Sequence, residues 1–133
     1  MTLDDFRAAC AALPAATYVN QWGGAHVYKV GGRIFAIAGF ARDGGPPAFA
    51  FKASPMAYHL LIEHGLAEPA PYLARAGWVR LVSQDALPDA DVAAYLGQAH
   101  ALVAARLTRA ARRALGLEAP PTPTVRAVPS APG

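Results

Sequence analysis

The segment Ala25–Phe40, AHVYKVGGRIFAIAGF, joins two β-rich runs through a pair of glycines. Glycine adopts the positive φ angles that a two-residue hairpin turn requires, so Val30 is expected opposite Arg33 and Tyr28 opposite Phe35. Side chains alternate along a strand, which predicts that the two faces carry separate sets: His26, Tyr28, Phe35 and Ile37 on one, and Val27, Lys29, Ile34 and Ala36 on the other. The sequence therefore predicts an antiparallel hairpin.

Further strands are predicted on both sides of this hairpin. Thr17–Trp22 has an extended pattern and is followed by a Gly23-Gly24 turn, and Phe49 and Phe51 alternate in a strand after the hairpin. Consecutive strands of this kind favour a β-meander. Residues 78–83 form one more predicted strand, which the pattern leaves isolated from the others.

Three helices are predicted from their start signals and apolar spacing. Thr2 with Asp5 resembles a capping box for a helix that ends at Leu13, before Pro14. Ser54 as N-cap and Pro55 at the first position begin a second helix, which ends before Gly65. A long helix begins at Asp89 or Asp91, with apolar residues at spacings of three and four as far as Ala114. The fold class that follows is α+β, with an antiparallel sheet packed against helices.

Length and composition predict a single domain. The chain has 133 residues, and residues 1–117 carry the helical and strand patterns, whereas residues 118–133 form a proline-rich tail predicted to be flexible. Truncation after Leu117 is expected to leave the melting temperature within a few degrees. No apolar run is long enough to span a bilayer, and the acidic start Met1–Phe6 does not resemble a signal peptide. A cytoplasmic protein without membrane association is expected.

Charge is unevenly distributed along the chain, although the formal net charge is only +3. Residues 7–62 carry five Lys or Arg and one Asp, residues 63–91 carry two Arg and five acidic residues, and residues 92–117 carry four Arg and no acid. A pattern with separate basic segments is compatible with a polyanionic partner. Scattered surface arginines of a mildly basic protein are the alternative.

The residue types of common catalytic and metal sites do not occur in productive spacings. His26, His59, His64 and His100 include no pair at i and i+4, so no metal site is predicted. Cys10 lies on the apolar stripe of the first helix, and the paired acids lie at helix starts, where they complement the helix dipole. The three glycine pairs lack the strand-to-helix context of a phosphate loop. A non-enzymatic protein without a cofactor is therefore expected.

Basic side chains on the predicted hairpin and its neighbours form the main candidate site. Lys29 and Arg33 flank the glycine turn, Arg42 lies in the next loop, and Lys52 ends the following strand. Three further arginines share one face of the long predicted helix: Arg106, Arg109 and Arg113. Such cations can contact phosphates, which require only charge and reach. Ordinary solubilising residues, and cations that stabilise a helix C-terminus, remain the alternative explanation.

A second candidate site is aromatic. Trp22, Tyr72 and Trp78 can line the edge of a pocket in a protein-interaction or small-ligand-sensing module that binds no nucleic acid. A single continuous positive surface favours nucleic-acid binding, whereas dispersed charge around an apolar cleft favours this second function.

The order of several short motifs resembles the MmcQ/YjbR family of small bacterial proteins. The motifs are a helix ending in Leu13-Pro14, the Trp22-Gly23 turn, the hairpin 27–36, Phe51-Lys52, the Pro69-Ala70-Pro71-Tyr72 step and the Gly77-Trp78-Val79 strand. Together they cover roughly residues 1–115. The resemblance implies a frataxin-like (CyaY-like) α+β fold.

The same resemblance implies DNA binding through a "double wing" of two hairpin-like projections. In this sequence the corresponding cations are Lys29, Arg33, Arg42 and Lys52. Because none of them lies on a predicted helix that can enter a groove, contacts with the phosphates of duplex DNA, without sequence preference, are expected.

Overall fold

The computed structural model describes residues 1–39, 45–71, 73 and 76–117. The chain order begins α1 (Leu3–Ala11), β1 (Ala16–Gln21), β2 (Ala25–Val30), β3 (Arg33–Gly39), β4 (Ala48–Lys52) and α2 (Pro55–Glu63). It continues β5 (Ala67–Pro69), β6 (Trp78–Leu81), α3 (Asp89–Ala104) and α4 (Arg109–Ala114). The predicted α+β class is confirmed. The tail 118–133, which was predicted to be flexible, lies outside the described residues.

The six strands form one antiparallel sheet in the order β1-β2-β3-β4-β6-β5. The first four strands form the predicted meander. The strand at residues 78–81 is not isolated, because β6 pairs with both β4 and β5. The prediction missed β5, since three residues are too few to show a periodic pattern.

Local start signals place the first two helices as predicted. The Thr2 hydroxyl accepts from the Asp5 N–H at 3.1 Å, and the Asp5 carboxylate reaches back to the Thr2 N–H, so the capping box is formed. Ser54 caps α2 through the Ala57 N–H, with Pro55 at the first helical position. Helix α1 ends at Ala11, two residues before the predicted end at Leu13. None of the helices in the described ranges has the length and apolar character needed to cross a bilayer.

The central hairpin differs from its predicted register at one point. Val30 faces Arg33 as predicted, but the register shifts between Tyr28 and Lys29, so Tyr28 faces Ala36 rather than Phe35. A β-bulge of this kind places two consecutive residues on one side of the sheet. Phe35 and Ala36 are both buried on the side that α1 and α3 cover, and Ile37 packs on the opposite side. The predicted placement of Ala36 and Ile37 was therefore wrong.

Helices α1 and α3 cover one face of the sheet and enclose the main core. The Phe6 ring of α1 stacks on Phe49 of β4 with centroids 4.3 Å apart, and Leu96 of α3 is fully buried. His100 of α3 is also buried, with its Nε2 2.7 Å from the Pro14 carbonyl oxygen. A smaller cluster of buried residues lies on the opposite face of the sheet and includes Trp78, Val27, Ile37 and Ala50.

Candidate nucleic-acid interface

The tip of the β2–β3 hairpin is fixed against the helical layer. Gly31 and Gly32 have φ angles of 59° and 80°, as the predicted turn requires. A Cβ atom placed on Gly31 would lie 2.6 Å from Leu107 Cδ1, whereas a Cβ atom on Gly32 would meet nothing within 4 Å. The hairpin therefore packs on the segment after α3 rather than projecting into solvent as a separate wing.

The long predicted helix is in fact two helices. Helix α3 ends at Ala104, and Thr108 begins α4 by accepting the Ala111 N–H at its hydroxyl at 3.0 Å. A threonine that can cap a new helix, and a leucine whose side chain is buried against the hairpin tip, both favour a break at this point. Arg106 consequently lies in the connecting turn, and only Arg109 and Arg113 share a helix, one turn apart. The single face predicted for these three arginines was wrong.

The break nevertheless brings the predicted cations together in space. Because Gly31 packs on Leu107, the hairpin cations lie at the same end of the molecule as Arg106 and α4. We call this the basic end and define it as Lys29, Arg33, Arg106, Arg109, Arg112 and Arg113. Arg33, Arg106, Arg109 and Arg113 are exposed, and Lys29 is half-buried. Arg112 also stabilises the turn, since its Nη1 donates to the Leu107 carbonyl at 2.5 Å.

The carboxylates of the described residues lie elsewhere. We call the opposite end of α3 the acidic end and define it as Asp4, Asp5, Asp85, Asp89 and Asp91. The amino group of Met1 connects the start of α1 to the start of α3, because it donates to the Gln84 carbonyl at 2.9 Å and pairs with Asp89 at 3.0 Å. The 16 residues of α3 separate the two ends by about 24 Å at 1.5 Å per residue. The described residues therefore have a strong charge asymmetry along α3.

The other two predicted phosphate contacts, Lys52 and Arg42, do not belong to the basic end. Lys52 lies on the same face of the sheet as Lys29, but its ammonium group donates to the Ala76 carbonyl and so holds the segment that precedes β6. It is therefore a structural residue in part. Arg42 lies outside the described residues. The strand ends nearest to it in sequence, Gly39 and Ala48, pair at the end of the sheet opposite to Gly31-Gly32.

The proposed aromatic pocket is not assembled by the described residues. Trp22 lies in the turn after β1 and is 54% exposed, whereas Trp78 of β6 is 6% exposed. The two residues are four strand positions apart, about 19 Å at ordinary strand spacing, and at opposite ends of their strands. Tyr72 lies outside the described residues. Trp22 is held at a φ of 52°, a conformation that costs a bulky residue energy.

Sequence reasoning missed a polar cluster at the β1 edge of the sheet. We call it the edge cluster and define it as Arg7, Tyr18, Asn20, His26 and Tyr28. The cross-strand pairs Tyr18–Tyr28 and Asn20–His26 place four of these side chains on one face. The fifth, Arg7, reaches over from α1 and donates through Nε to the Tyr28 hydroxyl at 3.1 Å. Only the register of β1 against β2 could have revealed this grouping.

The remaining candidates for reactive chemistry are buried or dispersed. Burial raises the pKa of the Cys10 thiol to about 12, so this side chain is a core residue and a poor nucleophile. Within the described ranges, no group of three or more His, Cys, Asp or Glu side chains is arranged to hold a metal ion.

Comparison with known proteins identifies the family of this chain. The sequence model of the YjbR family matches residues 11–102, more than half of the chain. The chain belongs to the YjbR family. Among solved structures, it resembles the crystal structure of Deinococcus radiodurans protein DR2400, which carries the domain DUF419. That match has a TM-score of 0.75 and 27% sequence identity, and it covers 87% of this chain and 88% of DR2400. A search of curated proteins gives no significant match.

The YjbR match divides the basic end. Lys29 and Arg33 lie inside the matched residues, and so does Lys52, whereas Arg106 and the whole of α4 follow the last matched residue. The family signal therefore covers the hairpin half of the basic end. Arg106 and the arginines of α4 belong to the part of the chain beyond the YjbR match.

Proposed function

We propose that this chain binds the phosphate backbone of duplex DNA through its basic end, without sequence preference and without catalysis. The observation that carries the proposal is the packing of Gly31 on Leu107, which joins the hairpin tip to the segment that leads into α4. Phosphate contacts need positive charge within reach of the backbone, and this end offers both. Burial of Cys10, with its raised thiol pKa, supports a binding role over a thiol-based enzyme.

The shape of the basic end supports contact with phosphates over reading of bases. Helix α4 has six residues, RAARRA, and is about 9 Å long. Apart from its arginines it presents only alanine, which offers no hydrogen bond to a base edge. The hairpin tip consists of two glycines, of which Gly31 packs on Leu107 and Gly32 has no side-chain neighbour. We therefore expect one affinity for all duplex sequences of equal length.

The acidic end does not cancel this attraction at physiological salt. Its separation of about 24 Å from the basic end exceeds the Debye length of about 8 Å at that ionic strength. Phosphates held at the basic end are therefore screened from the distant carboxylates. The net charge of +3 consequently understates the local potential that a phosphate backbone meets.

The test measures affinity for a fluorescent duplex by anisotropy over a range of salt concentrations. If Lys29, Arg33, Arg106, Arg109 and Arg113 each neutralise one phosphate, the log–log slope is about −4.5, at roughly −0.9 per contact. That slope corresponds to a loss of affinity of roughly 500-fold between 50 and 200 mM salt. Two unrelated duplex sequences should give the same curve.

Two double variants with the same change in net charge provide the control. Arg33→Ala with Arg106→Ala removes two cations from the basic end and should make the slope shallower by about 1.8. Ala90→Glu with Ala94→Glu lowers the net charge equally but at exposed positions in the first half of α3. This control should keep the wild-type slope. Equal effects of the two variants, or no binding at low salt, would refute the proposal.

A further inference from the structure

The edge cluster forms a small network of hydrogen bonds that ends in unused donors. The Tyr18 hydroxyl lies 2.8 Å from His26 Nδ1, and Asn20 Nδ2 donates to the same hydroxyl at 3.4 Å. The Tyr18 hydroxyl that accepts from Asn20 can still donate its own proton to His26 Nδ1, and we assign the bond in that direction. A neutral imidazole that accepts at Nδ1 carries its proton on Nε2. Within the described part of the chain, His26 Nε2 has no hydrogen-bond partner.

Only the Nε atom of the Arg7 guanidinium group is hydrogen-bonded within the described residues. Its Nε donates to Tyr28, and its Cζ lies 4.9 Å from the centroid of the Tyr18 ring. The hydroxyl and the ring together fix the orientation of the planar group. Neither terminal nitrogen, Nη1 or Nη2, has a partner among the described residues. The fork of donors that commonly binds carboxylate or phosphate is therefore pre-positioned and unused.

The cluster contains more hydrogen-bond donors than acceptors, and no carboxylate. The other members surround His26: Tyr18 and Asn20 lie on β1, Tyr28 lies on β2, and Arg7 reaches over from α1. Among the described residues, Asp4 lies about one turn before Arg7 on α1, where it is exposed and acts on Arg7 only through its charge. Unused N–H groups of Arg7 and His26 thus remain beside two aromatic rings. This chemistry fits a group with several acceptor oxygens and a negative charge.

We propose that the edge cluster binds a phosphate group, either inorganic phosphate or a phosphate monoester, through the Arg7 fork and His26 Nε2. Phosphate has more acceptor oxygens than a carboxylate, enough for both donors at once. Tyr18 and Tyr28 act as positioning residues that hold His26 and Arg7. The site is separate from the basic end, because it lies at the β1 edge and contains none of the basic-end residues.

Protonation of His26 would couple to phosphate binding. In the absence of an anion, partial burial and the nearby charge of Arg7 lower the pKa of His26. A bound dianion offsets the repulsion from Arg7 and favours the imidazolium, which adds a second positive charge to the site. The pKa of His26 should therefore rise when phosphate binds.

The test follows the imidazole resonances of the four histidines by NMR across a pH series, at constant ionic strength. Millimolar inorganic phosphate should raise the pKa of His26, and the resonances of the exposed side chains of His59 and His64 serve as internal controls. Glycerol phosphate replaces inorganic phosphate in a second arm, which distinguishes a monoester from the free ion. Acetate in a third arm should have a smaller effect. An equal or larger effect of acetate, or an unchanged His26 titration in phosphate, would overturn the proposal.

Matched variants separate this site from the basic end. Arg7→Gln should weaken phosphate binding by at least about tenfold, because it removes a charge-assisted fork. Arg106→Gln, an equal change in charge at the basic end, should leave the His26 response intact. Tyr18→Phe keeps the ring under Arg7 and removes only the hydroxyl group. This variant should fold normally and should also weaken phosphate binding, because His26 loses its hydrogen-bond partner. If Arg106→Gln abolishes the response while Arg7→Gln does not, the assigned residues are wrong.

Discussion

Substitution of the two turn glycines by alanine separates the conformational requirement of the turn from its packing. Both residues have positive φ angles, so an alanine at either position costs about 1–2 kcal/mol of folding free energy. At Gly32 nothing further is expected, because a Cβ atom has open space. At Gly31 the Cβ atom would overlap Leu107 Cδ1 at 2.6 Å, and such overpacking adds about 1–3 kcal/mol. Gly31→Ala should therefore be the more destabilising variant.

Urea unfolding followed by circular dichroism measures both variants. We expect a loss of about 2–5 kcal/mol for Gly31→Ala and about 1–2 kcal/mol for Gly32→Ala, with unchanged m-values. Combining Gly31→Ala with Leu107→Ala should cost less than the sum of the two single changes, because the methyl group then occupies vacated space. Equal losses for the two glycines would refute the contact between the hairpin tip and Leu107, and with it the joined basic end.

Three further predictions concern single residues. Thr108→Ala should reduce the free energy of unfolding by about 1 kcal/mol in urea melts, whereas Thr108→Ser should keep the cap and most of the stability. Cys10 should resist aromatic disulfide reagents at pH 8 unless denaturant is present, because burial raises its pKa to about 12; rapid labelling of the native protein would contradict this. Because the pKa of His26 is lowered in the folded state, the unfolded state binds the proton more readily. The free energy of unfolding should therefore decrease as the pH falls below 6.5. Stability should therefore decline more steeply toward acid pH in wild type than in His26→Asn, and parallel pH profiles would exclude the effect.

Features determined by neighbouring residues could be predicted from the sequence. The capping box of Thr2 and Asp5, the Ser54-Pro55 helix start and the Gly31-Gly32 turn each depend on a few adjacent residues. Their chemistry is the same in any fold, because caps and tight turns satisfy local backbone groups. These elements accordingly lie where the sequence placed them, with helix ends shifted by one or two residues.

Features determined by tertiary packing could not be predicted in the same way. Apolar spacing of three and four continues through residues 104–108, so periodicity alone could not show that Leu107 leaves the helix to pack on Gly31. The bulge at Phe35 likewise depends on the burial of two consecutive side chains under the helices. Both features change which residues share a surface.

The residues of the candidate sites could be identified from the sequence only where they are close together in the chain. The sequence identified Lys29, Arg33 and the arginines after α3 as separate groups, and the fold joins them at one end. The edge cluster was missed because Arg7 meets Tyr28 across 21 positions of the chain, and no local motif links them. Knowledge of the β1–β2 register is the minimum needed to find it.

Mapping of amide chemical shifts during titration with a short duplex tests whether the hairpin tip and the α4 region bind DNA together. We expect the largest changes in two segments distant in sequence, residues 29–33 and residues 106–113, and we expect both to diminish together as salt is added. The amide signals of the acidic end, including those of residues 85–91, should remain unaffected. Changes confined to one of the two segments, changes centred on the acidic end, or an unchanged spectrum at low salt would contradict DNA binding by a joined basic end.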